Sequence, residues 1–407
     1  LETKNALYLV KVEPNANNNK YYRMIDNGNG TFTAQYGRIG VEKFQTATYS
    51  ISQWNSKLNE KLSSKKGYID QTRLVAETTV KAKKNKDYID IESVSISQIV
   101  ARLQAMAKQA IQDNYTISSN KVTQAMIDEA QITLNNLIQT STLKDFNKVL
   151  VDLFQIIPRK MKKVADCLAD SDKDYANILQ REQDLLDVMR GQVIQQAIVE
   201  EEVEEDKPLS NQTILDAMGL RFEELVPADV VLIKQNLGSA SNKYHQGWRV
   251  TNLRSQERFD KFIAENKIQN KKLLWHGSRN ENWWSIVNTS LVLRPNAVIS
   301  GKMFGYGIYF APKAEKSLGY TSLSGSYWAG GNSNSAFMSL YDVAYGKAYD
   351  VHSFDSKYYD FNYEKLQQNC TGANCLHAHS GNGMLRNDEI IVYKEDQLTI
   401  KYLVELR

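Results

Sequence analysis

The stretch Gly301-Lys302-Met303-Phe304-Gly305-Tyr306-Gly307-Ile308-Tyr309-Phe310-Ala311-Pro312 decides how this chain is read. It is not a phosphate-binding loop, because the terminal Gly-Lys-Ser/Thr is missing, and its Gly-x-Gly is too short for a dinucleotide fingerprint. Pro312 is well placed to start a helix. Along that helix Ser317 and Tyr320 stand three apart and share a face. A flat aromatic ligand could stack on Tyr320 while Ser317 hydrogen-bonds its edge. Two surface residues on a short helix are the plainer alternative.

Two further clusters flank this stretch. In Leu273-Leu274-Trp275-His276-Gly277-Ser278-Arg279 an apolar strand ends in a histidine, then a glycine that lets a ligand approach the backbone, then a hydroxyl. A lone histidine there is more often structural than catalytic. In Asn387-Asp388-Glu389-Ile390-Ile391-Val392-Tyr393 a carboxylate opens a strongly apolar strand, a placement that also serves solubility.

The rest of the chain sets the frame. With 407 residues, two to three domains are expected. An apolar share of 42% against 24% charged excludes wholesale disorder. No apolar run approaches the ~18 residues of a membrane span and no basic-then-apolar leader opens the chain, so no membrane partner is expected. Three cysteines fit a reducing interior better than a disulfide framework. The expected location is intracellular: nuclear in a eukaryote, cytoplasmic or at the nucleoid in a bacterium.

The net charge of +3 hides an uneven distribution: residues 1–86 hold 15 Lys+Arg against 7 Asp+Glu, leaving the remainder at −5. A basic head on an acidic body points to a polyanion partner, against the alternative of a solvated basic face. The head reads as strands over 6–12, 20–25 and 31–38, with Asp26-Asn27-Gly28-Asn29-Gly30 as a turn and a helical period from Ser50 to Leu62. Residues 97–197 hold one glycine and one proline, with apolar positions such as Ile99, Leu103, Met106 and Ala110 at helical spacing. The acidic run 200–206 reads as an exposed hinge. Beyond it, short apolar segments alternate with turns. The expected architecture is therefore α+β and multidomain: a small β-rich domain over 1–80, a linker over 81–96 with a lysine run, an all-α bundle over 97–200, and a mixed α+β domain over 207–407.

Together the three clusters resemble the catalytic domain of the poly(ADP-ribose) polymerases, the diphtheria-toxin-like ADP-ribosyltransferases. The matching motifs are Leu-Trp-His-Gly-Ser at 274–278, Met-Phe-Gly-x-Gly-Ile-Tyr-Phe-Ala at 303–311, Lys-Ser-x-x-Tyr at 316–320 and Glu-x-Ile-Val-Tyr at 389–393. The helical segment is similar to the family's regulatory helical domain around Phe154-Gln155-Ile156-Ile157-Pro158 and Leu185-Leu186-Asp187. The head resembles a WGR domain, with Tyr36-Gly37-Arg38-Ile39-Gly40 where the family has Trp-Gly-Arg-x-Gly.

The resemblance implies roles. His276, Tyr309 and Glu389 form the catalytic triad. The Gly277 backbone and the Ser317 hydroxyl hold the nicotinamide carboxamide, and Tyr309 and Tyr320 sandwich the ring. His276 and Ser278 hold ribose on the adenosine side with Asn282 nearby, and Lys316 lines the same region. Glu389 bonds the nicotinamide ribose and orients the acceptor. Tyr36 stacks on a DNA sugar or base, with less area than indole, and Arg38 pairs with phosphate. NAD+ is then the substrate and no cofactor is expected; the partners are DNA, above all strand breaks, and protein acceptors including the chain itself, which acts as a monomer. Cleaving the nicotinamide–ribose bond develops an oxocarbenium-like centre, which a fixed carboxylate stabilises.

Departures from the family pattern are Tyr36 for Trp, Ser290-Leu291-Val292 opposite an adenosine-side Gly-Leu-Arg with Arg294 nearby, Lys302 for an aromatic, and a short segment before Glu389. That segment holds Cys370-x4-Cys375-x-His377-x-His379, whose spacing fits no standard zinc pattern, so no metal site is assigned. The expected activity is DNA-stimulated ADP-ribosyl transfer, with polymer formation favoured. Mono-ADP-ribosylation and a non-catalytic scaffold binding DNA and ADP-ribose are the alternatives.

Overall fold

The computed structural model describes residues 6–72, 88–115, 122–204, 212–293, 303–381 and 385–407. The lysine run at 81–86, Asp206 to Pro208, Arg294 and Lys302 lie outside these. By packing, the chain divides into two compact units, one over 1–84 and 108–193, the other over 85–107, 194–297 and 301–407. The sequence-based helical segment is thus cut near both ends, at 108 and 193.

In the first unit, β1 (Leu7–Glu13), β2 (Asn18–Asp26), β3 (Thr31–Arg38), β4 (Gln45–Ser50) and β5 (Ile69–Asp70) form one antiparallel sheet in the order β4-β3-β2-β1-β5. Alternation puts Leu9, Tyr22, Met24, Phe32 and Ala34 on one face, where Trp54 of α1 (Trp54–Leu62) packs. The β2–β3 turn forms where Asp26 Oδ1 accepts the Gly28 N–H at 2.9 Å, and Gly28 and Gly30 take positive φ.

Helices follow: α2 (Val94–Asn114), α3 (Gln124–Ile138), α4 (Leu143–Ile156) and α5 (Tyr175–Glu204). Thr123 and Thr142 cap α3 and α4 by accepting backbone N–H groups. The latter stops two residues before Pro158, as proline requires. After it, the buried Arg159 guanidinium pairs with the buried Glu182 and lies over the rings of Tyr115 and Phe154, 5.4 and 5.3 Å from their centroids. The acidic run read as a hinge is helical as far as Glu204, in keeping with the high helix propensity of glutamate.

The second unit adds α6 (Ile214–Ala217), β6 (Leu220–Glu224), α7 (Pro227–Leu237), β7 (Tyr244–Asn252), α8 (Leu253–Asn266), β8 (Lys272–Gly277), α9 (Trp283–Thr289), β9 (Ile308–Phe310), α10 (Ala314–Leu318), β10 (Ala336–Val343), β11 (Ala348–Val351), α11 (Tyr363–Asn369), β12 (Cys375–Ala378), β13 (Glu389–Val392) and β14 (Leu398–Leu406). One sheet runs β6-β7-β14-β10-β8, all antiparallel; the other runs β11-β12-β13-β9, with only β11–β12 parallel. The sheets join where Trp275 and Ala311 exchange two backbone hydrogen bonds of 2.9 Å. Each sheet has its own core: Trp275, Met338, Leu340 and Tyr402 in the first, Phe304, Phe361, Leu376 and Ile391 in the second. Among the described residues no helix is long and apolar enough to cross a membrane.

Candidate active site

The junction between the two sheets gathers the residues singled out in the sequence. His276 is the next-to-last residue of β8, and its Nδ1 lies 3.0 Å from the carbonyl oxygen of Tyr309 on β9. The edges of Trp283, Phe310 and Tyr341 surround the imidazole. Gly277 follows; a Cβ there would come within 2.1 Å of the Ser317 carbonyl oxygen, so only glycine lets β8 meet the end of α10. Ser278 Oγ accepts from Asn282 Nδ2 at 2.9 Å, fixing the two against each other.

On the other sheet, Tyr309 is locked at its far end. Its hydroxyl accepts the Phe304 N–H at 2.9 Å and donates to the Gly305 carbonyl at 3.0 Å. Gly305 has φ +69°, and a Cβ there would strike the Phe361 backbone at 2.1 Å. The glycine-rich loop is therefore a splint for the Tyr309 ring rather than a phosphate cradle. Helix α10 ends at Leu318, so Tyr320 comes in the turn beyond it, its N–H on the Ser317 carbonyl at 3.1 Å. The predicted shared helix face is in fact a turn. The Tyr320 ring stacks on Trp328 at 6.1 Å.

Glu389 opens β13 and is 4% exposed. Its Oε1 pairs with Lys316 Nζ at 2.8 Å. Oε2 is buried and accepts no hydrogen bond from any described residue. Burial pushes the Glu389 carboxyl above the ordinary carboxylate range, and Lys316 holds it back. Burial also raises the phenols of Tyr309 and Tyr320, the latter to about 12, and the Glu389 charge adds to both. Tyr309, Tyr320, Lys316 and Glu389 thus share one low-dielectric site. The sequence indicated Lys316 only as a neighbour; its ion pair with Glu389 was the missed element, signalled by nothing more than the Lys-Ser spacing.

The head residues behave differently. Tyr36 stacks on Tyr22 at 5.6 Å against the core of its own sheet. The Arg38 guanidinium donates to the carbonyl oxygens of Asn17, Met161 and Lys162 at 2.7, 3.1 and 2.8 Å. Asn17 Oδ1 accepts the Val164 N–H, and Asn19 Nδ2 donates to the Arg159 carbonyl. The predicted phosphate ligand is thus a tie between the head and the segment after α4, within one compact unit.

Residues 229–407 match the poly(ADP-ribose) polymerase catalytic domain, and residues 5–75 match the WGR domain. A poly(ADP-ribose) polymerase-like protein of Invertebrate iridescent virus 6 is 34% identical over 169 residues, spanning 40% of this chain and 87% of the relative. Poly(ADP-ribose) polymerase 2-B of Oryza sativa subsp. japonica is 22% identical over 454 aligned positions, spanning 96% of this chain and 70% of the relative. Poly(ADP-ribose) polymerase 2 of Homo sapiens is 24% identical over 280 positions, spanning 66% and 46%. A β-rich head, a helical region and this α+β domain define an NAD+ ADP-ribosyltransferase. The chain belongs to the poly(ADP-ribose) polymerase family, and NAD+ is its substrate rather than a recycled cofactor.

Proposed function

We propose that the chain is a DNA-stimulated enzyme that builds poly(ADP-ribose) on protein acceptors, itself among them. The observation that carries the reading is the buried Glu389 carboxylate, ion-paired through Oε1 while Oε2 accepts nothing from the described residues. Oε2 is then the acceptor for a ribose hydroxyl, and the same charge faces the oxocarbenium-like centre as nicotinamide leaves. The nicotinamide carboxamide bonds Gly277 and Ser317, its ring lies between Tyr309 and Tyr320, and His276 and Ser278 hold the adenosine-side ribose, with Asn282 steadying Ser278. The second half of the bond change follows from the first: a hydroxyl of a bound ADP-ribose attacks the anomeric carbon once its proton is drawn to Glu389.

The head's basic charge and its WGR match support DNA as the stimulus, with strand breaks as the form sensed. The helical region acts as the brake that DNA releases, a shift between two states of different NAD+ affinity. The test is release of labelled nicotinamide with and without nicked or blunt-ended DNA, and a denaturing gel of the automodified chain. A DNA-dependent ladder is expected, and Glu389→Gln should cut transfer by ~10²–10³. One sharp shifted band would reduce the reading to mono-ADP-ribosylation, and wild-type transfer by Glu389→Gln would remove the carboxylate from the mechanism.

A further inference from the structure

Beside the site, on the far side of β13, a second cluster of side chains has no part in the chemistry above. Asp350 of β11 stands directly opposite His377 of the parallel strand β12. His379, two residues on, projects to the same face as His377, and so does His352 relative to Asp350. The imidazoles form a column: His377 and His379 stack at 3.9 Å, His379 and His352 at 4.3 Å. One ring nitrogen from each of His377 and His379 and a carboxylate oxygen of Asp350 lie within 4.8 Å of one another. His379 Nε2 is 2.7 Å from Asp350 Oδ1, and His377 Nδ1 is 3.9 Å from the same oxygen.

We propose that Asp350, His377 and His379 form a binding site for one divalent transition-metal ion of the zinc class. Two imidazole nitrogens and one carboxylate oxygen select such ions over magnesium and calcium, which take oxygen donors. A second observation supports it independently. Asp388 lies behind both imidazoles, its Oδ2 3.0 Å from His377 Nε2 and 3.8 Å from His379 Nδ1, while its Oδ1 accepts the Ser380 N–H at 2.8 Å. A carboxylate on the far nitrogen is what orients a metal-ligating histidine and fixes its tautomer. With Nε2–H on Asp388, His377 presents the Nδ1 lone pair to the cluster, where the Tyr345 hydroxyl now sits at 2.8 Å. The proton between His379 Nε2 and Asp350 moves to His379 Nδ1, facing Asp388, as the ion replaces it. Bonds of about 2.0–2.2 Å put tetrahedral donors ~3.4 Å apart, so the 2.7 Å contact opens and the longer separations close by side-chain rotation. Asp350, 53% exposed, gives the ion a path from solvent.

The cysteines read from the sequence as companions are not members. Cys375 is buried with its thiol on the Tyr345 carbonyl, and neither it nor Cys370 belongs to the donor set. The site would clamp β11 to β12 and hold Asp388, the neighbour of Glu389. The experiment is equilibrium dialysis of the whole chain against Zn2+, with Mg2+ and Ca2+ as controls, and a Co2+ absorption spectrum. Expected are one Zn2+ per chain, no Mg2+ or Ca2+, a Co2+ spectrum without a thiolate charge-transfer band, and unchanged binding in Cys370→Ser. Asp350→Asn and His379→Gln should each weaken binding at least tenfold, and Asp388→Asn by about 10–100-fold. The exposed Asp350 can be changed without loss of fold, and an unchanged melting temperature without metal checks this. Absence of retained Zn2+ in the wild type, a thiolate band, or binding undiminished in the Asp350→Asn His379→Gln double variant would overturn the proposal.

Discussion

Replacing Lys316 by methionine tests the electrostatics of the site most directly. The Lys316 ammonium is 2.8 Å from Glu389 Oε1, with side-chain exposures of 15% and 6%. Methionine keeps most of the stem and removes the charge. Burial already raises the Glu389 carboxyl, and Lys316 is what opposes the rise. Removing one partner of a buried pair costs about 3–5 kcal/mol. Without the ammonium that energy appears in part as preference for the protonated acid, so the carboxyl rises further. Water entering beside the residual exposure of residue 316 tempers the rise without changing its direction. The sign follows from the folded value lying above the unfolded one. The native state favours neutral Glu389, so ionising it costs stability as pH climbs past the ordinary carboxylate range. Activity needs the ionised form and is lost as pH falls through the raised value. The assay is nicotinamide release across the acidic range at saturating NAD+ and DNA. In Lys316→Met the acidic limb should move to higher pH, with partial recovery of rate at alkaline pH. A limb at the same pH in both proteins would refute the claim that Lys316 keeps Glu389 ionised.

Three further outcomes are expected. Gly277→Ala drives a Cβ to 2.1 Å from the Ser317 carbonyl and should lower kcat/KM for NAD+ by at least ~10², with little change in DNA affinity by fluorescence anisotropy. Arg38→Ala should lower DNA stimulation far more than basal activity while leaving the salt slope of DNA binding unchanged, because its donors are on carbonyl oxygens; a slope smaller by about one would assign Arg38 to phosphate instead. Glu182→Ala strands the buried Arg159 charge and should cost about 3–5 kcal/mol in urea unfolding, against a much smaller loss for Glu182→Leu combined with Arg159→Met.

What could be read from the sequence was what depends on neighbours along the chain. The β2–β3 hairpin was legible because Asn-Gly pairs accept positive φ, and the helical region because its apolar residues recur at helical spacing with one glycine and one proline among them. His276, Tyr309 and Glu389 were legible as motifs, and the structure brings His276 to Tyr309 and Lys316 to Glu389. What was not legible depends mostly on partners brought in by the fold. Of the carbonyls that Arg38 holds, only Asn17 lies near it in the chain; Met161 and Lys162 are more than 120 residues away and could not be read from spacing. The carboxylates that stand beside the two histidines of the Cys/His run, Asp350 and Asp388, were not legible because the fold and not the spacing brings them there. The acidic run 200–206 read as an exposed hinge, whereas α5 continues to Glu204, as the helix propensity of glutamate allows.

The junction of the two sheets explains why so few residues can be exchanged there. His276 and Gly277 come with β8, Tyr309 and Glu389 with β9 and β13, and among the described residues the backbone ladder between the sheets is the Trp275–Ala311 pair. Two hydrogen bonds cannot hold two sheets to the few tenths of an ångström that oriented bond cleavage requires. The remaining constraint comes from side chains that reach across. His276 touches the Tyr309 carbonyl and Lys316 reaches Glu389. The buried indole of Trp275 donates to the Asn236 carbonyl at 3.0 Å, anchoring β8 from behind. The residues proposed to bind NAD+ are therefore also the ones that fix the two sheets. Substitutions among them act twice, once on a contact to substrate and once on the angle at which the two halves of the site face each other. A double variant such as His276→Ala Lys316→Met, which removes two of these ties from opposite sides, should accordingly lose more NAD+ affinity than the two single losses add up to, since a joint released at one point still holds at the other.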